Sequence, residues 1–273
     1  VFEQRRLSYV ELQEGIDRTA KAFLEFGVRP GDKIGMLAMA CPEFIITFLA
    51  AAKVGAIWLG LNPKSSAREL SYILGDCRPK VLISLGTYGN KNLLEDLEII
   101  PLADYGVERL VVIEKTTSKF TSFDDLVGSA REHLEDSLQQ QAAQVRPTDP
   151  VLLMYTSGST GQPKGVLQTH RSILVNVRQQ AKYFFMDRTT RALLHFPINH
   201  VAADVEIGYA TLLVGGVLVM MDRFDPAESL ATVSREKVTM LGQIPAMFLL
   251  QAGLPNFAST DFTSLKVIVF GGA

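Results

Sequence analysis

The segment that most restricts the fold of this chain is a run of glycine, serine and threonine enclosed by two apolar stretches. The run, from Tyr155 to Val166, has the sequence YTSGSTGQPKGV. Residues 151–154 before it and Val166 and Leu167 after it are apolar, as in buried strands. A Gly/Ser linker between domains does not usually join two strands so tightly. The pattern therefore predicts a short loop between two strands of one fold.

The composition of this loop is suited to a chain of phosphate groups. Gly158, Gly161 and Gly165 can adopt positive φ, so that successive N–H groups point inward and form an anion-binding concavity. The serine and threonine hydroxyls add donors, and Lys164 adds a positive charge. The loop differs from a Walker A loop, because Pro163 precedes the lysine and Gly165 follows it. Two alternative interpretations remain: the run could be a flexible linker, and Lys164 could be a solvated surface residue.

Composition excludes several other classes of protein. The 273 residues are 47% hydrophobic and 21% charged, which predicts a globular protein of one large or two modest domains. A net charge of −2 predicts no binding to nucleic acid or to an anionic membrane. Cys41 and Cys77 lack metal-ligand spacing, so we expect reduced thiols and a cytoplasmic location.

The terminus and the apolar runs give two further expectations. The runs 44–61 and 207–221 are interrupted by charge or glycine, so no transmembrane segment is predicted. The chain starts at Val1, without methionine or a signal-peptide pattern, which suggests an excised piece of a longer protein.

Helix and strand patterns alternate along the chain. Capping boxes at Ser8–Glu11 and Ser66–Glu69 predict two helix starts, and Asp225 before Pro226 predicts a third. Predicted helices also include a solvated one at 129–144, one at 172–185 and one at 201–214. The predicted strands are 33–38, 57–61, 81–84, 110–113, 191–196, 217–221, 238–241 and 266–270. Repeated βα units predict an α/β fold with mostly parallel sheets covered by helices.

The twelve-residue run resembles the phosphate-binding motif of the adenylate-forming enzymes. That superfamily contains acyl-CoA synthetases, firefly-type luciferases and the adenylation domains of peptide synthetases. Further motifs occur in the family's order: Leu7-Ser8-Tyr9, Gly31-Asp32, Gly55-Ala56, Leu61-Asn62-Pro63 and Glu69-Leu70. The resemblance therefore spans the whole chain. It implies a truncated large domain of the acyl-CoA synthetase-like fold, with subdomains at 1–150 and 151–273 and without the C-terminal lid domain.

The resemblance also implies a set of nucleotide-binding residues. They are Thr156, Ser157, Gly158, Ser159, Thr160, Gly161, Lys164, Gly271, Gly272 and Ala273. Lys164 is expected to be catalytic, and Mg²⁺ is expected near Ser159 or Thr160. The implied reaction activates a carboxylic acid with ATP as acyl-AMP and transfers the acyl group to coenzyme A. The chain alone is expected to be inactive.

A second group of residues resembles the family's acid-binding pocket. The segment from Phe196 to Ala202 resembles one in which a histidine walls this pocket, so His200 is expected there and in catalysis. The alternative is that His200 caps the following helix. His170 is expected to pack at a helix start, and His133 and His195 are assigned no role. The expected wall residues are His200, Val201, Ala202, Ala203, Ile207, Ile244, Ala246, Met247 and Gly271.

The expected pocket is apolar, with Asp204 as the one charged residue noted beside its walls. An apolar cavity favours a fatty or aromatic acid over an ammonium-bearing amino acid. Three alternatives remain open: an amino-acid adenylation domain, a luciferase, and a non-catalytic nucleotide- or acyl-binding module. Neither the acid, nor the thiol acceptor, nor the oligomeric state is predicted.

Overall fold

The structure is a computed structural model that describes residues 1–114, 120–128, 131–156 and 162–272. Helices and strands alternate along it. The helices are α1 (Tyr9–Glu25), α2 (Pro42–Lys53), α3 (Ala67–Cys77), α4 (Leu93–Glu98), α5 (Phe123–Gly128), α6 (Glu135–Gln144), α7 (His170–Tyr183), α8 (Ala210–Leu213), α9 (Pro226–Arg235) and α10 (Pro245–Ala252). Short 3₁₀ turns lie at Glu132–Leu134 and Phe257–Ser259, and a π-helical segment spans Ala202–Tyr209. The strands are β1 (Lys33–Leu37), β2 (Ile57–Leu61), β3 (Val81–Ser84), β4 (Thr87–Tyr88), β5 (Lys91–Asn92), β6 (Arg109–Val112), β7 (Thr121–Ser122), β8 (Pro150–Thr156), β9 (Lys164–Thr169), β10 (Arg191–Leu194), β11 (Val217–Met220), β12 (Met240–Gln243) and β13 (Val267–Phe270).

The larger of two compact units comprises Leu7–Met39 and Glu43–Ser172. Its seven-stranded sheet has the order β7-β6-β3-β1-β2-β8-β9 and is parallel except that β9 runs antiparallel to β8. β1, β2 and β3 are almost wholly buried, as expected for a parallel sheet covered on both faces. The predicted α/β class is confirmed for this unit.

The core of the larger unit contains Trp58 of β2, which is fully buried. The rings of Phe44 and Phe48 lie with their centroids 5.3 and 5.6 Å from it. The Trp58 indole donates a hydrogen bond of 3.2 Å to Thr47 Oγ1, so its one polar atom is paired inside the core.

The smaller unit comprises Val1–Arg6, Ala40–Pro42 and residues 173–273. Residue 273 itself lies outside the described part. Its four strands are all parallel, in the order β11-β10-β12-β13. The π-helical segment and α8 connect β10 to β11, and α9 connects β11 to β12. These are the βα units that the sequence predicts.

Local hydrogen bonds explain why several helices start where the sequence predicts. Ser8 and Ser66 each accept from the backbone N–H of a glutamate three residues on, and that glutamate accepts in return from the serine's N–H. Asp225 likewise accepts from the N–H of Glu228, with Pro226 in the first turn. Both capping boxes and the third helix start are confirmed.

Two predicted helices differ from those observed, and five short elements were not predicted. The predicted helix at 201–214 is π-helical from Ala202 to Tyr209 and α-helical only from Ala210 to Leu213. The predicted helix at 129–144 starts as an α-helix at Glu135, after a 3₁₀ turn. The short elements α4, α5, β4, β5 and β7 were not predicted, because none is long enough to show a period.

The chain passes from the larger into the smaller compact unit after Ser172, and the subdomain boundary at 150/151 stays a prediction. β8 lies after that boundary, but it pairs with β2 through Trp58 and Leu152 and through Leu59 and Leu153. Hydrogen bonding of β8 and β9 to the larger sheet therefore places the strands that flank the glycine-rich loop in the larger unit.

Candidate nucleotide and acid sites

The glycine-rich loop connects the ends of an antiparallel hairpin. β8 ends at Thr156 and β9 begins at Lys164, and these two residues are Cα partners in the hairpin ladder. Both are exposed. Of the nucleotide-binding and metal-binding residues predicted here, Ser157, Gly158, Ser159, Thr160 and Gly161 lie outside the described residues, as does Ala273.

The hairpin leaves the charge of Lys164 available to an anion. Within the described part of the chain, no carboxylate forms an ion pair with its ammonium group. The Thr156 hydroxyl and the Lys164 ammonium thus stand on residues paired directly across the mouth of the loop. An ammonium group is a compact point charge that binds phosphate well.

His200 lies at the start of the π-helical segment, in the capping position predicted as its alternative role. Its side chain is exposed, and Nδ1 accepts a hydrogen bond of 3.2 Å from the backbone N–H of Ala202. The ring thus caps the start of the π-helical segment. A role of His200 in the acid pocket or in catalysis stays a prediction.

The predicted pocket walls come from three parts of the smaller unit: the π-helical segment with the two residues before it, the turn from β12 into the first turn of α10, and the residue after β13. Ala202, Ala203 and Ile207 are buried, and Val201, Ile244 and Met247 are half-buried. A Cβ at Gly242 would lie 3.0 Å from Ile207 Cδ1, so the π-helical segment packs closely on β12. This contact places the predicted wall residue Ile207 against the strand that ends one residue before Ile244, another predicted wall residue.

The remaining wall residues are more open. Ala246, Gly271 and Gly272 are exposed. Gly272 has a φ of +76°, which favours glycine, and a Cβ there would lie 3.4 Å from Ile244 Cγ2. A Cβ at Gly271 would meet nothing within 4 Å, so space beside that backbone is free.

Asp204 is a buried carboxyl group within the π-helical segment. It is fully buried, and neither carboxyl oxygen has a hydrogen-bond partner among the described residues. Burial raises the pKa of Asp204 well above its usual range. Tyr209, five residues on, is also buried, and its pKa is raised by burial and then by the charge of Asp204.

Glu206 is a second acidic residue of this segment, and sequence reasoning missed it. Its side chain is half-buried, between the buried Val205 and Ile207. Alternation of acidic and apolar residues gives no helical face, so the pattern carried no signal.

His195 and His170 are the other histidines with a defined environment. His195 follows β10 and is 2% exposed. Among the residues that the structure describes, neither of its ring nitrogens has a hydrogen-bond partner. It stacks on Phe196 at a centroid distance of 5.0 Å, and burial lowers its pKa to about 4. His170 is the first residue of α7, as its predicted packing role requires.

No metal site is formed by the described side chains: nowhere among them do three histidine, cysteine or acidic groups cluster. None of the helices in the described part combines the length and the apolar composition needed to cross a membrane. Cys41 and Cys77 are buried thiols that form no disulfide, and burial raises the pKa of Cys77 to about 12.

Comparison with known proteins decides the family. A family model described as "AMP-binding enzyme" matches residues 1–273. The chain belongs to this family. The predicted resemblance to adenylate-forming enzymes is therefore confirmed over the full length of the sequence.

Individual relatives are acyl-CoA ligases. The chain is 30% identical to acyl-CoA ligase sidI of Aspergillus fumigatus, with 98% of this chain and 47% of that protein covered. It is also 30% identical to a feruloyl-CoA synthase of Amycolatopsis sp., with 98% of this chain and 49% of that protein covered. The chain spans about half the length of the curated relatives that it matches.

A solved relative has the same fold. The anthranilate CoA ligase AuaEII, in complex with anthranoyl-AMP, matches with a TM-score of 0.88 and 25% identity. The match covers 99% of this chain and 51% of that structure.

Proposed function

We propose that the protein carrying this chain is an ATP-dependent acid–thiol ligase. A carboxylate oxygen of the acid attacks the α-phosphorus of ATP, which forms acyl-AMP and releases pyrophosphate. The sulfur of coenzyme A then attacks the acyl carbon, which forms the thioester and releases AMP. The observation that carries this proposal is the hairpin with Thr156 and Lys164 at the mouth of a glycine-rich loop, in a chain of the AMP-binding family.

In this proposal the loop binds the β- and γ-phosphates. Negative charge on the phosphate oxygens grows in the transition state, and Lys164 stabilises it. The Thr156 hydroxyl donates to the same phosphate chain. Mg²⁺ would be held near the hydroxyls of Ser159 or Thr160, which suit a hard cation that prefers oxygen ligands. The metal would neutralise phosphate charge, and Gly271 and Gly272 would pass close to the adenylate.

The proposed acid is fatty or aromatic. The wall residues of the smaller unit are mainly apolar, and each buried methylene contributes about 0.8 kcal/mol to binding. Two of the matched relatives are named for aromatic acids, ferulate and anthranilate, which supports the aromatic class.

The alternative of an amino-acid adenylation domain is less well supported. Such a domain needs an anionic partner for the substrate's ammonium group. Asp204 is fully buried, and burial raises its pKa well above the usual range, which disfavours the carboxylate form and makes it poorly suited to be that partner. We further propose a cytoplasmic location and no nucleic-acid partner, in line with the absence of a disulfide between the two described cysteines and with the low net charge.

Lys164→Ala tests the role of the loop. In the protein carrying this chain, we expect the variant to raise the barrier to acyl-adenylate formation by about 2–4 kcal/mol, because a charge that acts in the transition state is lost. Single-turnover pyrophosphate release measures this, with Lys182→Ala on α7 as the matched control. Unchanged pyrophosphate release would support the alternative in which Lys164 is a solvated surface lysine.

The reaction class and the acid are tested together by ATP–pyrophosphate exchange with a panel of acids. We expect exchange with cinnamic-type, benzoic-type or medium-chain fatty acids, and none with α-amino acids. Release of AMP should then require coenzyme A. Exchange only with amino acids would establish the alternative, and no exchange with any acid would favour a non-catalytic binding module.

A further inference from the structure

Two hydrogen bonds connect helix α3 to the two ends of the phosphate-loop hairpin. The hydroxyl group of Tyr155, one residue before the end of β8, donates to the carboxylate of Asp76. The hydroxyl group of Tyr72 donates to the carbonyl of Pro163 at 3.2 Å, one residue before β9. Tyr72 and Asp76 are four residues apart, so they lie on the same face of α3.

Helix α3 is a rigid support for these contacts. Its start is fixed by the capping box of Ser66 and Glu69. Its opposite face buries Leu70, Leu74 and Cys77 in the core of the larger unit. The exposed face with Tyr72 and Asp76 is therefore held in place by packing beneath it.

The ring of Tyr155 also makes contact across the hairpin. Tyr155 and Gly165 are Cα partners, and a Cβ at Gly165 would lie 3.4 Å from Tyr155 Cζ and 3.0 Å from Leu153 Cδ1. The glycine leaves room for this close approach, and the half-buried ring spans from β9 to α3. Burial, and then the hydrogen bond to Asp76, raise the pKa of the Tyr155 hydroxyl, which keeps it a donor.

We infer that Tyr72, Asp76 and Tyr155 are positioning residues that hold Tyr155 and Pro163, which flank the phosphate loop on its two sides, in place for phosphate binding. This inference rests on the proposed phosphate-binding role of the loop. A loop rich in glycine loses much conformational freedom when it orders around a ligand. Contacts that fix its two ends before binding reduce that loss and so strengthen binding.

The first test measures the loop itself and needs no ligand. Amide hydrogen exchange across residues 156–165 is compared between this chain and Tyr155→Phe, Asp76→Ala and Tyr72→Phe. We expect exchange to quicken about 3- to 10-fold in these amides, as the loss of one hydrogen bond implies, with exchange in β1 and β2 unchanged. Tyr183→Phe, at an exposed tyrosine of α7, is the matched control.

The second test measures binding of inorganic pyrophosphate with Mg²⁺ by calorimetry. Tyr155→Phe and Asp76→Ala are each expected to weaken binding about 3- to 10-fold, and the double variant no more than either alone. Asp76→Asn retains an acceptor oxygen and is expected to restore binding to within about twofold of the unchanged chain.

The outcomes separate this inference from the proposed function. If Lys164→Ala weakens pyrophosphate binding and the three positioning variants change neither binding nor loop exchange, the inference is wrong and the phosphate role stands. If the three positioning variants quicken exchange but pyrophosphate does not bind the unchanged chain, α3 positions the loop and the proposed phosphate-binding role is wrong. Faster exchange throughout the larger unit would mean a general loss of stability and would also overturn the inference.

Discussion

At the scale of single residues, burial without a partner fixes the protonation of His195. The imidazole is 2% exposed, lies against Phe196 and Phe224, and has a pKa lowered to about 4. The folded protein therefore holds it neutral at pH values where the unfolded chain would take up a proton. A depressed pKa of this kind contributes stability above the unfolded pKa, near 6.5, that is lost as pH falls toward 4.

Replacement of His195 by phenylalanine should remove this pH dependence. As the pH falls from 7 to 4, we expect the unchanged chain to lose about 2–3 kcal/mol of unfolding free energy through this residue. His195→Phe keeps an aromatic ring beside Phe196 and has no proton to take up. Urea unfolding at several pH values measures the difference.

His133→Gln serves as the control, because His133 is exposed in its 3₁₀ turn. If His195→Phe and the unchanged chain lose stability in parallel below pH 6.5, His195 does not titrate as its burial implies.

At the scale of elements, the π-helical segment is the departure from regular structure with the largest consequence. Its i to i+5 geometry places Asp204 and Tyr209 on one side of the segment, and both are buried. π-helical turns are frequent at functional sites. Here the segment supplies several of the predicted acid-pocket walls, and it also contains Asp204, whose pKa burial raises.

Asp204→Asn should stabilise the chain at neutral and alkaline pH. A carboxyl group whose folded pKa is raised contributes stability below its unfolded pKa, near 4, and loses it as pH rises. Asparagine has nearly the same shape and no proton to lose. We expect the variant to exceed the unchanged chain in unfolding free energy at pH 8, with the advantage shrinking toward pH 4.

Urea unfolding at pH 8, 6 and 4 measures this, with the exposed Asp222→Asn as the matched control. A loss of stability in Asp204→Asn at pH 8 would show instead that the ionised carboxylate has a stabilising partner in the folded protein.

At the scale of the whole molecule, the larger unit has a core that can be followed by its own fluorescence. Trp58 is the one tryptophan of the sequence, and it lies in that core beside Phe44. Phe44→Ala leaves a cavity against the indole and should lower the unfolding free energy by about 3–5 kcal/mol. The urea transition of Trp58 emission measures the change.

Ile99→Ala is the control, since Ile99 is 74% exposed in the same unit and should change stability by no more than about 0.5 kcal/mol. A cost below about 1 kcal/mol for Phe44→Ala would mean that the core around Trp58 closes around the missing ring.

Local sequence patterns determined the features that depend on neighbours in the chain. Ser8, Ser66 and Asp225 predict their helix starts because each cap bonds to backbone only a few residues away. The βα alternation predicts the parallel sheets, and the motif from Tyr155 to Val166 predicts the family. In each of these cases the required information lies within a short stretch of sequence.

Contacts between distant residues decided the rest. Asp76 and Tyr155 are 79 positions apart, and Tyr72 and Pro163 are 91 apart, so no periodicity could associate them. The placement of β8 beside β2, and the burial of His195 and Asp204, likewise depend on which strands and helices pack together. Burial and pairing are properties of the folded arrangement, because desolvation and hydrogen bonding act between atoms that only the tertiary structure brings close.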